Sequence, residues 1–242
     1  MAPIYRQNFT ISDVHLDCFG RAKPSALLLF AQEVASHHCT QLAVDQTYLS
    51  ARHLFWAVSR HKVQITRLPT YGETITVETW PMPTTRVAYP RSVVAYDQKG
   101  NELFRSISLW VLMDIRTRAM VLPGKSQVLV EGTCRGNELD VPRSIVPAPL
   151  SQHCRRAVVY SELDRNGHMN NTRYLDWVDD LLSIDFHRQR PVRAFTVCYL
   201  SEAKLGDEVA LSWELSEDFS FRVDGHRDTP EGDRIFSVIA EF

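Results

Sequence analysis

The strongest constraint on this chain is that it repeats itself. Asp17 and Gly20 recur 147 positions on as Asp164 and Gly167, each pair framing a short polar turn. LPTYGETITVETW (68–80) lies against EAKLGDEVALSWE (202–214), with Gly72 on Gly206 at an offset of 134. The smaller second offset means that the second copy is shorter between its turn and that strand. Such a chain has to fold as two similar units, which by analogy with isologous pairing pack as a pseudo-dimer.

The patterning within each copy sets the fold class. Residues 4–11 alternate as a strand, and Pro24 and Ser25 open a helix, where a missing N–H costs nothing. SALLLFAQEVASHHCTQLAV is apolar nearly all round in its first two turns, so that helix is expected to be buried and wrapped. Runs rich in Val, Ile, Thr and aromatics at 54–68, 73–80, 86–96 and 102–115 read as strands separated by Pro, Gly and Asp turns. One helix and an antiparallel run of strands make an α+β unit whose sheet curls around the helix.

Residues 123–152 lose this periodicity and carry four prolines, and they read as a connection in which 127–130 adds a short strand. The pattern then restarts with a strand at 155–161, a polar turn at 162–170 and a helix at 172–186 capped by Asn170 or Asn171. Strands follow at 192–200, 208–215, 219–224 and 234–242. The domains expected are therefore 1–122, a connection at 123–152, and 153–242.

Composition narrows the partners. With 27 basic and 29 acidic residues the net charge is −2, so no global field recruits nucleic acid or an anionic membrane. MAPIYRQNFTIS has no apolar core of leader length and no run is long enough for membrane insertion, which points to the cytoplasm. Five scattered cysteines without a CxxC pair fit reduced thiols better than disulfides or zinc. His37, His38 and Cys39 are adjacent on the first helix and so face different ways, which argues against a metal site, and the GKS at 124–126 lacks the upstream glycine of a phosphate loop.

The chemistry concentrates in YSELDRNGHMNNTRYLDW (160–177). Read as an extended stretch, alternate Asp164, Asn166 and His168 project a carboxylate, an amide and an imidazole to one side. The first copy keeps Asp17 and Gly20 but has Phe19 for Asn166, Arg21 for His168 and Leu68 for Glu202. A turn-forming role covers what both copies share, but it leaves Asn166, His168 and Glu202 unexplained.

That segment, together with FWAVSRHKVQITRLPTYGETITVETWP (55–81) and SLWVLMDIRTRAMVLP (108–123), resembles the acyl-acyl-carrier-protein thioesterases of plants and bacteria over nearly the whole chain. The resemblance implies two tandem hotdog domains, each a curved antiparallel sheet around one long helix. It further implies hydrolysis of fatty acyl thioesters of acyl carrier protein (ACP), with no cofactor and no metal. The catalytic set implied is Asp164, Asn166 and His168 of a DxNxH motif, with Glu202. A homodimer is left open. The plant enzymes usually carry a cysteine after that glutamate, where this chain has Ala203, so attack by water replaces a thiolate nucleophile.

A thioester carbonyl is already electrophilic and its thiolate leaves readily, so a base, carbonyl polarisation and a dry acyl slot suffice. Glu202 is expected to be the base with His168 assisting. Asn166 would orient water or carbonyl and Asp164 would hold both neighbours. The helix start at Asn170 and Asn171 would meet the developing oxyanion and border the substrate. The first half, freed of chemistry, would hold the acyl tail, with Leu29 and Phe30 setting its length. The rival readings are an acyl-coenzyme A thioesterase with Asp164 as nucleophile or base, and a non-catalytic acyl-binding protein.

Overall fold

A computed structural model describes residues 4–242; the first three residues of the stretch read for a leader lie outside it. The chain divides into two compact units, Met1–Pro142 and Arg143–Phe242. The first holds β1 (Tyr5–Thr10), α1 (Pro24–Gln41), α2 (Gln46–Ser50), β2 (Leu54–Ile65), β3 (Thr74–Pro81), β4 (Tyr89–Tyr96), β5 (Glu102–Asp114), β6 (Met120–Val121) and α3 (Pro123–Ser126). The second holds β7 (Gln152–Ala157), α4 (Arg173–Asp179), α5 (Ile184–Gln189), β8 (Ala194–Tyr199), β9 (Glu208–Leu215), β10 (Ser220–Arg227) and β11 (Arg234–Glu241).

The strands of the first unit run antiparallel in the order β1-β3-β4-β5-β2, with β6 paired to the end of β5. Those of the second run β7-β9-β10-β11-β8. Apart from β6, each strand of one unit has its counterpart at the same place in the other. The sequence repeat is therefore a repeat of topology, and the α+β class holds in both units.

Helix α1 packs on β1 and β3. Phe30, 1% exposed, sits between the rings of Phe9 and His15, each 4.9 Å away by centroid. The helix is not wrapped all round, because Leu29 is 40% exposed. A helix lying on one sheet face buries a single broad stripe, and Leu27, Leu28, Phe30, Ala31, Val34 and Ala35 supply it.

The second unit departs from the expected single helix at 172–186. Its helix is two short pieces, with Ser183 accepting the Phe186 N–H at 3.2 Å to start the second. Asp179 and Asp180 end α4 where the helix dipole disfavours carboxylates, which explains the break. The strand expected at 155–161 lies earlier, at 152–157, followed by a single 3-10 turn at Tyr160–Glu162.

The expected strand at 127–130 does not form. Gln127 adopts a left-handed conformation, with φ 58°, that ends α3. Beyond it the chain is stitched to the sheet of its own unit. Thr133 donates to the Pro81 carbonyl at 2.9 Å, Arg135 pairs with Glu78 at 2.8 Å, and Glu138 accepts the Trp80 indole N–H at 3.1 Å.

In the second unit the core reaches the helix through a glycine. Gly225 on β10 lies opposite Phe236 on β11, and a Cβ there would come within 2.1 Å of the Phe236 ring. That ring packs 4.6 Å from Tyr174 of α4. A Gly225→Ala variant is expected to lose about 1–3 kcal/mol through overpacking, read as a lower urea midpoint. Gly124→Ala, with nothing within 4 Å of its Cβ position, should stay within about 0.5 kcal/mol of the parent.

Candidate active site

The polar stretch is a closed turn rather than an extended edge. Asp164 donates its N–H to the His168 carbonyl at 2.8 Å, and Gly167, at φ +77°, donates to the Asp164 carbonyl at 3.0 Å. That left-handed angle suits glycine because a Cβ is disfavoured there. Asp164 Oδ1 accepts the backbone N–H groups of Asn166 at 2.8 Å and His168 at 3.3 Å, while Oδ2 accepts the Asn166 side-chain amide at 3.2 Å. One carboxylate thus shapes the loop and holds the amide, which is the Asx-turn behaviour of aspartate.

The turn is sewn to the segment before β9. His168 pairs with Lys204 as a β-bridge, and Met169 donates to the Ala203 carbonyl at 2.8 Å. This registers His168 against Glu202, with Nε2 3.4 Å from Oε2. The imidazole is 15% exposed and the carboxylate 42%, so the pair sits at a surface that a substrate can reach. Asp164, Asn166, His168 and Glu202 are therefore brought together.

The first unit carries the same skeleton without the chemistry. Asp17 donates to the Arg21 carbonyl at 2.7 Å, Gly20 to the Asp17 carbonyl at 3.1 Å, and Ala22 to the Pro69 carbonyl at 2.8 Å. Asp17 Oδ1 again accepts two backbone N–H groups, from Phe19 and Arg21, at 2.8 and 2.9 Å. Its Oδ2 is met by the Arg21 guanidinium at 3.0 Å. What both units share is scaffold, and what only the second has is Asn166, His168 and Glu202.

Several expectations change at the helix start. The N-cap position is Thr172, without a side-chain cap, and not Asn170 or Asn171. Asn170 Oδ1 accepts the Thr172 N–H and hydroxyl, both at 3.0 Å, and its carbonyl accepts the Arg173 N–H at 2.9 Å. Those backbone donors are thus already engaged and do not form an open oxyanion site. Asn171 gives its carbonyl to the Tyr199 hydroxyl at 2.9 Å.

Ala203 is fully buried, and the Tyr174 hydroxyl reaches its backbone. Burial pushes that phenol well up, and the bond from Ala203 counts the other way. Cys198 lies buried on β8 opposite Ser237, with its thiol 3.8 Å from the Arg143 carbonyl. Two groups outside the expected catalytic set also hold this segment. One is Tyr174, and the other is Arg227, which donates to the Glu202 carbonyl at 2.8 Å.

The comparisons with known proteins fit this geometry. The acyl-ACP thioesterase N-terminal domain matches residues 3–122 and the acyl-ACP thioesterase C-terminal domain matches residues 150–242. The chain belongs to the acyl-ACP thioesterase family. Its relatives include a palmitoyl-acyl carrier protein thioesterase of Gossypium hirsutum, 24% identical over 82% of this chain and 52% of the relative. An oleoyl-acyl carrier protein thioesterase of Arabidopsis thaliana is 23% identical over 85% and 62%. The chain thus spans about half to three-fifths of such plant proteins, which are named as chloroplastic.

The fold is that of an acyl-ACP thioesterase from Bacteroides thetaiotaomicron, with TM-score 0.87 and 23% identity over 99% of this chain and 97% of that one. It is also that of the 12:0-ACP thioesterase of Umbellularia californica, with TM-score 0.82 and 22% identity over 98% and 96%. Both units are hotdog units.

In this family member the adjacent His37, His38 and Cys39 do not share a common point: His37 turns away, while His38 and Cys39 both meet Arg91. His37 Nδ1 meets Gln7 at 2.7 Å, His38 Nδ1 meets the Arg91 guanidinium at 3.0 Å, and Cys39 lies 3.8 Å from another arm of that arginine. Among the described residues no cluster of three His, Cys, Asp or Glu could hold a metal.

Burial, and then the Arg91 charge, hold His38 down at about 4. The unfolded chain therefore takes up a proton near 6.5 that the folded chain refuses until about 4, so stability is lost as pH falls through that window. From pH 7 to 4.5 this one group is expected to cost about 2 kcal/mol. His38→Gln should flatten the pH dependence of the unfolding midpoint over that range.

Proposed function

We propose that this protein hydrolyses fatty acyl-ACP thioesters, releasing free fatty acid and holo-ACP. The observation that carries the reading is the His168–Glu202 pair at 3.4 Å, present in the one unit that also has Asn166, in a chain whose two halves match the two domains of this family. Glu202 takes a proton from water as the water oxygen adds to the thioester carbonyl carbon. The tetrahedral oxyanion then collapses, the C–S bond breaks, and the thiol of the carrier leaves with the proton returned through the His168–Glu202 pair. Asn166, tethered by Asp164 through one amide hydrogen, orients water or carbonyl with the rest of its amide. Asn170 and Asn171 border the reacting group.

Asp164 fits a positioning role better than a nucleophilic one. Both of its oxygens already accept hydrogen bonds within the turn, in the pattern that Asp17 repeats where there is no chemistry. Arg165 and Lys204, exposed and within three residues of the reacting pair in sequence, are the charges we assign to meeting the acidic carrier. No helix among the described residues is long and apolar enough to cross a membrane. Separately, five cysteines without a disulfide support a reaction in a reducing compartment, which we take to be the cytoplasm.

Thiol release from fatty acyl-ACP and fatty acyl-coenzyme A, measured side by side with a thiol reagent, tests both class and carrier. Faster release from the ACP substrate is expected, and no release from either would end the hydrolase reading. Glu202→Gln should lower kcat by about 10²–10⁴. Near-normal turnover in that variant, beside an inactive Asp164→Asn, would instead make Asp164 the base or nucleophile.

The interior of the first unit, with buried Phe30, supports its role in setting acyl length, whereas Leu29 is more exposed. Phe30→Ala is expected to shift the fatty acids released from a mixed acyl-ACP pool toward longer chains, read by gas chromatography. Leu29→Ala should shift them less.

A further inference from the structure

A guanidinium on the neighbouring strand grips the backbone that carries Glu202. Arg227, the last residue of β10, sends Nη2 to the Glu202 carbonyl at 2.8 Å and to the Ser201 hydroxyl at 3.4 Å. Its Nη1 is anchored on Asp207 Oδ2 at 2.6 Å, and the same oxygen accepts the Lys204 N–H at 3.0 Å. One side chain thus ties residues 201, 202 and 207 together, closing the loop from which Glu202 reaches His168. Arginine suits this task because its planar fork serves several acceptors in fixed directions.

The first unit shows what the arrangement avoids. An offset of 134 places Ser201 on Arg67, Glu202 on Leu68 and Asp207 on Glu73. On the next strand Tyr96 faces Thr76 and His226 faces Ala210, so Asp97 stands where Arg227 does. In the first unit the cation is Arg67, on the loop itself, bound to Glu73 at 2.7 Å and to Asp97 at 4.0 Å. In the second unit the cation sits instead on the strand, and the loop position is an uncharged serine. Had the arginine remained on the loop, it would stand beside Glu202 in the chain and compete with His168 for its carboxylate. On β10 it instead takes the main-chain carbonyl.

We infer that Arg227 is a positioning residue that acts through Glu202, holding its backbone so that the carboxylate stays in register with His168. The inference rests on the proposed role of Glu202, and a four-enzyme cycle separates the two. With fatty acyl-ACP as substrate, Arg227→Met is expected to lower kcat about a hundredfold, as displacement of a reacting group by about 1 Å does, with KM little changed. Arg227→Lys, which keeps a charge for Asp207 but not the fork, should recover part of kcat.

The double variant Arg227→Met with Glu202→Gln should be no slower than Glu202→Gln alone, because residues that act as a unit are not additive. A purely structural role would instead slow the double variant by the full factor again, and that result would overturn the inference. So would normal kcat in Arg227→Met beside an inactive Glu202→Gln. A normal Glu202→Gln enzyme would overturn the role of Glu202 and this inference with it. Should Arg227→Met fail to fold, judged by its thermal transition, Arg227→Lys carries the same cycle.

Discussion

Everything at the candidate site depends on a carboxylate that folds its own loop. Asp164 gathers the N–H groups of Asn166 and His168 on one oxygen, and that act decides where the amide and imidazole point. The bonds are charge-assisted and local, so the turn is set by a few residues before any long-range packing is in place. The same device at Asp17 builds the same turn where no chemistry follows. The same aspartate turn stands in both units, and Asn166 and His168 are accommodated in one of them without altering that scaffold.

Around that turn, the second unit converts strand register into chemical geometry. The bridge between His168 and Lys204 and the bond from Met169 to Ala203 fix two distant segments relative to each other. Glu202 meets His168 for that reason, since neither side chain selects the other by proximity in the chain. Energetically the pair itself is modest, because a half-exposed carboxylate is screened. Its value lies in being preorganised by the backbone beneath it, which Arg227 and Tyr174 hold from opposite elements.

The first unit keeps buried polar groups that the proposed reaction does not use. Arg91 is buried among His38, Thr79 and Cys39, and burial pushes His61 down to about 3. These neutral imidazoles make the unit sensitive to acid, because the unfolded chain takes up protons that the folded chain refuses. A long unbroken helix lies over this interior, whereas the second unit makes do with two short pieces. The shorter spacing in the second copy leaves less chain for a helix, and the aspartates at the end of α4 stop it.

The amino-acid sequence by itself determined the two copies, the run of strands in each, and which copy carries Asn166, His168 and Glu202. Those features are legible because a repeat compares each residue with its own counterpart: Arg21 against His168 and Leu68 against Glu202 reveal the difference without any coordinates. Alternation at 164, 166 and 168 was misleading, since it suggested an extended edge where Gly167 and the Asp164 carboxylate make a closed turn. Only the tertiary structure decided that Glu202 reaches His168, that Asn170 uses up the donors at the helix start, and that Arg227 holds the Glu202 backbone. The physical reason is common to all three. Hydrogen-bond partners far apart in the chain are chosen by strand register and by which strand a side chain stands on, and local spacing encodes neither.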